Sequence, residues 1–310
     1  KPKVFICENV KGMTMEYAHD HFQSIMHAFA DHGYEVGWRV LNSKNFGVPQ
    51  GRERVFIVGI RDDVYTSVFP DKNLTERFGR VNLFEEQRLS ISNDTLQDIW
   101  PKPSEKVSTL KDAIKEMGKY SDVNQKEHEE IISMMEKQKR YPYLKEMPTN
   151  VDTYVEFGAT YFSEREKEWE SMTEEEQKEN PKFCWENRDT KEKVYQQEKP
   201  TTEGRWKNIS YVKYSGFQVR RVSWDKPSHT LTERGLQVGT SAHLHPEEHR
   251  GFTSIEAKRI MSLPDDYYLD GDINQRLARV GLMVAPRQME HLARSINKTV
   301  LMKYRRKFNA

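Results

Sequence analysis

In KPKVFICENVKGM the acid Glu8 stands directly after the apolar run Val4–Cys7. Such a run reads as a buried strand, and in open α/β sheets a ligand lies beyond the carboxyl ends of the strands, where Glu8 falls. A carboxyl packed at such a place beneath a ring and away from water can act as a proton donor. The position equally suits an acid that caps the following turn, and position alone leaves both open. The second chemical stretch is NFGVPQGRERVFIVG, residues 45–59. Gly47, Pro49 and Gly51 shape a tight loop, and Arg52 and Arg54 emerge two apart where a strand begins. Strand periodicity sends both guanidiniums to one face. Arginine is the side chain suited to forked hydrogen bonding with a phosphate or a base carbonyl. The competing reading is a surface ion pair with Glu53 or Asp62.

Other reactive types are weaker. HLHPEEH (243–249) and HDH (19–21) have histidine spacings that suggest a metal, but no cysteine or fixed helix register accompanies them, so no metal site is assigned. Cys7 lies within the first strand and Cys184 within FCWEN, and both read as small buried core residues. Tyr and Trp residues near 141–170 could stack bases, although aromatic side chains are more often core.

The elements that must hold Glu8 and the arginines follow from periodicity. Residues 3–7 form the first β run, and Phe22, Ile25, Met26 and Phe29 recur at helical spacing over about 16–32, with Gly33 as the stop. Residues 34–41 and 54–60 are two further β runs, the grammar of an α/β domain. Beyond residue 61 the pattern weakens. TLKDAIKEM (109–117) is a short amphipathic helix opened by Ser108 or Thr109. SEREKEWESMTEEEQKEN is a solvated helix whose Thr173 precedes three glutamates. Residues 209–224 are strand-like, helices are expected at about 253–262 and 273–298, and the tail MKYRRKF is basic.

The 310 residues allow one large domain or two smaller ones. The 49 Lys and Arg nearly balance the 48 Asp and Glu. The balance is uneven along the chain: residues 121–200 hold 20 acids and 13 bases, leaving 36 bases and 28 acids elsewhere. Basic flanks weakly favour a polyanionic partner. Two cysteines in so long a chain argue against a disulfide framework, and no apolar run approaches membrane-spanning length. The expectation is a soluble, cytoplasmic protein.

The motifs gain force as a series. ENV, PQGRERVFIVG, RRVSWDKPSHTLT (220–232), HPEEHRGFTSIEAKRIMSLPDDY (245–267) and RVGLMVAP (279–286) follow one another in that order. In order and content the series resembles the C-terminal portion of DNA cytosine-5 methyltransferases, over residues 1–63 and 218–300. The resemblance implies that Glu8 contacts N3 and the exocyclic amine of a flipped cytosine and that Asn9 braces its turn. It implies that Arg54 reads the cytosine O2, while Gln50 and Arg52 support the pocket and backbone contacts. Pro227–Thr232 then match the segment that organises target recognition, with Ser228, Thr230 and Thr232 facing DNA beside Arg52 and Arg54. Gly281, Leu282, Met283 and Val284 match the lining of the S-adenosyl-L-methionine pocket, with Leu282 where the family usually has asparagine.

The chemistry suits these residue types. Cytosine C5 becomes nucleophilic once a thiolate adds at C6, and a protonated carboxyl at N3 with a guanidinium at O2 stabilises the charge that builds on the ring. The base must leave the duplex to be reached. The expected fold is the C-terminal half of a class I, Rossmann-like α/β methyltransferase domain with an inserted smaller target recognition domain. Its segments are 1–63 (catalytic), 64–217 (recognition), 218–268 (organising the recognition domain) and 269–310 (a helix returning to the catalytic domain). The family's glycine-rich cofactor loop, acidic ribose-binding strand end and Pro-Cys nucleophile are absent from these residues. The chain is therefore expected to be inactive alone, as a truncated piece whose N-terminal portion is missing or as one subunit of a split enzyme, with truncation favoured. The expected partners are double-stranded DNA, the portion or subunit carrying the nucleophile, and a cognate restriction endonuclease. A non-catalytic DNA-recognition subunit and a transfer RNA cytosine methyltransferase are the alternatives.

Overall fold

The computed structural model of the chain describes residues 1–72, 96–115, 122–137, 144–145, 147–156, 165–196, 200–202, 205–212, 218–234, 236 and 243–308. The chain opens with β1 (Val4–Val10), α1 (His19–Asp31), β2 (Tyr34–Asn42), β3 (Gln50–Gly51) and β4 (Glu53–Arg61). β4 lies between β1 and β2 and runs antiparallel to both, so β1 and β2 are parallel to each other. Parallel strands require a crossover, and α1 supplies it. Its buried Phe22, Met26 and Ala30, four residues apart, form one stripe against the sheet. Gly33 ends the turn at φ +87°, a left-handed conformation that costs glycine little, as the sequence indicates.

β4 is buried on both faces from Val55 to Ile60, which is why VFIVGI reads as an unbroken apolar run. Val55 and Ile57 meet α1. Phe56, Val58 and Ile60 face the opposite layer, made by α2 (Asp62–Val68) and by Leu292, Ile296 and Val300 near the C-terminus.

A π-turn at Lys111–Lys115 stands where TLKDAIKEM suggests a helix, and residues 116–117 lie outside the described residues. Thr109 opens it, its N–H donating to Asp112 Oδ2 at 2.8 Å. α3 (Asp122–Glu136) follows, and its Ile131 and Met135 share a core with Val219, Leu231, Leu277 and Val280. This part of the middle region is thus packed into the C-terminal core. β5 (Thr153–Glu156) precedes α4 (Glu174–Glu179), which Thr173 caps in a reciprocal box with Glu176, as its sequence signature indicates. β6 (Trp185–Asn187), β7 (Lys193–Val194) and β8 (Trp206–Asn208) form a small antiparallel sheet.

Of the strand-like stretch 209–224, only Gln218–Arg221 is a strand (β9), and residues 213–217 lie outside the described residues. β10 (Ser228–His229) pairs in parallel with β3, and β11 (His243–Leu244) with β9. The chain ends in α5 (Ser254–Ile260), α6 (Ile273–Leu282), α7 (Pro286–Ile296), a π-turn at Asn297–Leu301 and α8 (Met302–Phe308). The single helix expected over 273–298 is therefore two. Met283 and Ala285 are extended, and Pro286, which has no N–H to give, starts a new helix at its first position. The break falls on GLMV.

Candidate active site

The C-terminal end of β1 meets the start of β4, with Val10 opposite Arg54 and Glu8 opposite Phe56. Glu8 and Val10 share a face, so Glu8 and Arg54 are diagonal cross-strand neighbours. Arg54 Nε lies 3.1 Å from Glu8 Oε1, with side chains 13% and 25% exposed. Arg54 Nη1 also donates to the Glu53 carbonyl at 2.8 Å. Burial lowers the Arg54 pKa and the Glu8 carboxylate pulls it back up. Glu53 pairs instead with Lys11 at 2.8 Å. The turn after β1 (Lys11–Thr14) has no side-chain cap, and the Val10 N–H is taken by Asn9 Oδ1 at 2.8 Å. Glu8 thus does not cap the following turn: it faces a guanidinium.

The two arginines part company. Arg52 falls between β3 and β4, where its N–H bonds back to the Gln50 carbonyl at 3.0 Å, and this tight turn breaks the strand alternation. Its guanidinium points inward and is almost wholly buried. Nη1 donates to Leu231 O at 2.8 Å, and Nη2 to Gly281 O and Met283 O at 3.0 Å each. Burial, with the Arg54 charge beside it, lowers its pKa to about 10, against the pull of Glu8. The outward, DNA-facing fork expected of Arg52 is spent on three main-chain carbonyls. Gln50 is buried beside it, accepting Leu231 N–H at 3.1 Å and donating to Met261 Sδ at 3.3 Å.

The residues expected to face DNA divide in the same way. Ser228 is buried, its hydroxyl donating to His229 O at 3.0 Å, because β10 is clasped to β3. Thr230 donates its hydroxyl to Gly51 O at 2.7 Å, and Thr232 is exposed. Gly281 is buried against the main chain of Thr232–Glu233, where a Cβ would lie 2.5 Å from Glu233 N. Leu282 is 66% exposed, while Val284 is half-buried against the layer over β4.

Sequence reasoning missed a buried ionic knot. Arg250, fully buried, forks onto Glu256 at 2.8 and 2.9 Å and onto Glu248 at 2.9 and 3.0 Å. Burial pushes Glu248 up, but Arg250 outweighs it and holds the carboxyl at about 2. His128 of α3 bonds the same Glu248. His245 Nδ1 accepts the N–H groups of Glu247 (3.3 Å) and Glu248 (3.1 Å), and burial lowers its pKa to about 4. Only the Thr253-x-x-Glu256 capping pattern could have hinted at the knot. The HLHPEEH histidines are therefore structural, and among the described residues no group of three or more His, Cys, Asp or Glu is placed to hold a metal. Cys7 and Cys184 have thiols pushed up by burial, which disfavours the reactive thiolate. Among the described residues no helix is long and apolar enough to cross a membrane.

The family model for C-5 cytosine-specific DNA methylases matches residues 1–298. The chain belongs to that family. It is 26% identical over its whole length to the type II methyltransferase M.Sau96I of Staphylococcus aureus and 27% identical over 96% of its length to M.Eco47II of Escherichia coli. A 64-residue match to M.BspRI of Lysinibacillus sphaericus reaches 47% identity. The methylase chain spans 53% and 56% of the first two relatives. Among solved structures it is similar to the Entamoeba histolytica methyltransferase EhMeth, with a TM-score of 0.45 and 11% identity over 96% of this chain and 63% of that one. The strand–helix–strand crossover with β4 between its strands is an α/β arrangement, in keeping with the fold class expected from the sequence.

Proposed function

We propose that the protein of which this chain is part transfers a methyl group from S-adenosylmethionine to C5 of a cytosine flipped out of double-stranded DNA, as in restriction–modification or phage modification. The Glu8–Arg54 pair carries this reading. An acid and a guanidinium 3.1 Å apart at a strand end match the Watson–Crick edge of cytosine. The carboxyl faces the ring nitrogen N3 and the exocyclic amine, and the guanidinium donates to O2. As negative charge builds on the ring during attack at C6, the Glu8 carboxyl, carrying a proton towards N3 when the base is bound, and the guanidinium at O2 bind it more tightly than the resting base, which is the condition for lowering the barrier. Asn9 braces the end of β1 by accepting the Val10 N–H, and Arg52 ties the start of β4 to the main chain of Leu231, Gly281 and Met283.

Gly281–Val284 fit one wall of a cofactor site. Their main chain is pinned by Arg52 and Leu282 presents an exposed apolar face, so Leu282 and Val284 would hold the cofactor's less polar parts. When bound, S-adenosylmethionine supplies an electrophilic methyl group. The attacking thiolate comes from outside residues 1–310, since Cys7 belongs to a sheet and Cys184 is buried. The chain alone is therefore inactive, and the nucleophile resides in another segment of the same protein or in a separate subunit. Bases are read by residues of the middle region, 64–217, and a cognate restriction endonuclease is the natural companion.

Glu8→Gln in the complete enzyme tests the reading. The methylation rate should fall by about 100-fold or more, the scale of losing one preorganised charge-stabilising group. Binding of the target duplex should stay within about twofold, since phosphate contacts dominate affinity. Equal losses of methylation and binding would make Glu8 structural and overturn the proposal.

A further inference from the structure

Two adjoining depressions, of about 630 and 230 Å³, share Asp152 and Lys226 as common walls. The larger is lined by Lys111, Lys115 and Asp225 as well, and the smaller by Lys44. Four lysines against two aspartates make the trough net basic. Its smaller end reaches Gly51, the residue between Gln50 and Arg52, so it runs up to the loop that leads into Arg54. At the other end Lys115 lies over the Trp224 ring, 5.3 Å from its centroid.

One acid occupies the junction. Asp152 Oδ2 lies 2.9 Å from Lys226 Nζ, and its Oδ1 lies 3.7 Å from His229 Nε2. Its backbone is tied down on both sides. Asn150, in the left-handed conformation at φ +53°, donates its N–H to Pro246 O at 2.7 Å and accepts the Trp224 N–H on its side chain at 3.2 Å. Thr153 begins β5, opposite Arg221. Asp152 is thus presented to the trough by a fixed turn of the middle region, while Lys226 and His229 belong to the segment 220–232.

We propose that the trough receives the phosphodiester backbone of duplex DNA beside the flipped base, and that Asp152 competes with it: the carboxylate holds Lys226 in the free protein and yields it to a phosphate. This rests on the function proposed above and names the residues of its DNA track. A phosphate can replace the carboxylate on lysine without loss of charge complementarity, because lysine pairs as a point charge. An ion pair between half-exposed side chains is weak and gives way readily, whereas phosphate binding also releases counterions from DNA. Asp152 therefore lowers affinity for any duplex that does not seat deeply enough to displace it.

The test is binding of the full-length protein to a fluorescent duplex at several salt concentrations, read by anisotropy. Asp152→Asn should tighten binding by about twofold to fivefold, the scale of an exposed ion pair that no longer has to be broken before Lys226 can meet a phosphate. Lys226→Gln should weaken binding evenly across sequences and reduce the slope of log K against log salt by about 1. In Asp152→Asn/Lys226→Gln the tightening should vanish. An Asp152→Asn protein that binds no tighter, a Lys226→Gln slope equal to wild type, or tightening that survives in the double variant would each overturn the track. A wild-type protein that binds no duplex at all would instead overturn the function on which it rests.

Discussion

His245 makes the fold sensitive to acid in a way that can be worked from its contacts. Its Nδ1 accepts two main-chain N–H groups, at 3.3 and 3.1 Å, and a proton placed there would confront both donors. The ring is buried, 5.3 Å from Trp224. Burial, with Arg250 opposing the nearby glutamates, leaves its folded pKa at about 4 against an ordinary 6.5. The unfolded chain thus binds a proton below pH 6.5 that the folded chain refuses until pH 4, so stability falls as pH drops through that window. At pH 5 the difference is one and a half units, about 2 kcal/mol at about 1.4 kcal/mol per unit. His243, also buried and lowered to about 4, adds a similar amount. Glu248 acts only below its unfolded value of 4.5, outside a comparison of pH 7.5 with pH 5. Wild type should therefore lose about 4 kcal/mol of unfolding free energy between those two pH values from these histidines. His245→Asn, whose side-chain oxygen can accept the same N–H groups but cannot titrate, should lose about 2 kcal/mol less over the same span. Urea unfolding followed by tryptophan fluorescence at both pH values measures this. Equal losses in the variant and wild type would show that His245 does not fold in the neutral form and refute the reasoning.

Two further perturbations probe the clasp around GLMV. Arg52→Met should cost about 2–4 kcal/mol, since three carbonyls lose a charged donor while the expense of burying the guanidinium is recovered. Arg52→Lys should recover little of the loss, because one ammonium cannot span three acceptors; an unchanged urea midpoint in either would count against the clasp. Gly281→Ala should destabilise by about 2 kcal/mol, because its Cβ would meet main-chain atoms 2.5 Å away that cannot swing aside, and an unchanged melting temperature would show that the contact relaxes.

Local grammar was legible where the residues themselves decide the conformation. The β run of 54–60, the α1 stripe, the Gly33 stop and the Thr173 cap all depend on neighbours close in sequence. The break between α6 and α7 was missed because 273–298 keeps a helical apolar rhythm across it, although Pro286 was the available signal. Arg52 was misdirected for a sharper reason. Reading Arg52 and Arg54 onto one face assumes an unbroken strand, and a bond from Arg52 N–H to Gln50 O turns the chain just there. The Glu8–Arg54 contact was half visible, since each residue was singled out, but their diagonal register comes only with strand pairing. The ionic knot was missed because Arg250, Glu248 and Glu256, though close in sequence, are buried together only by the fold, and His128 joins them across 120 residues.

Arg52 also sets a timetable. Its three acceptors lie 179, 229 and 231 residues further along the chain. On a ribosome adding about 5–20 residues per second, the arginine waits roughly 10–50 s for its last partner to emerge. Until then the loop leading to Arg54 has lost chain freedom to no lasting contact, the situation in which long-range closure is slowest. The two strands can pair early, but the end of the sheet that carries Glu8 and Arg54 is finished only once residue 283 has been made. A nascent chain shorter than that does not hold the Arg52 clasp, and the loop before Arg54 is secured together with α6 and the GLMV break as one late event.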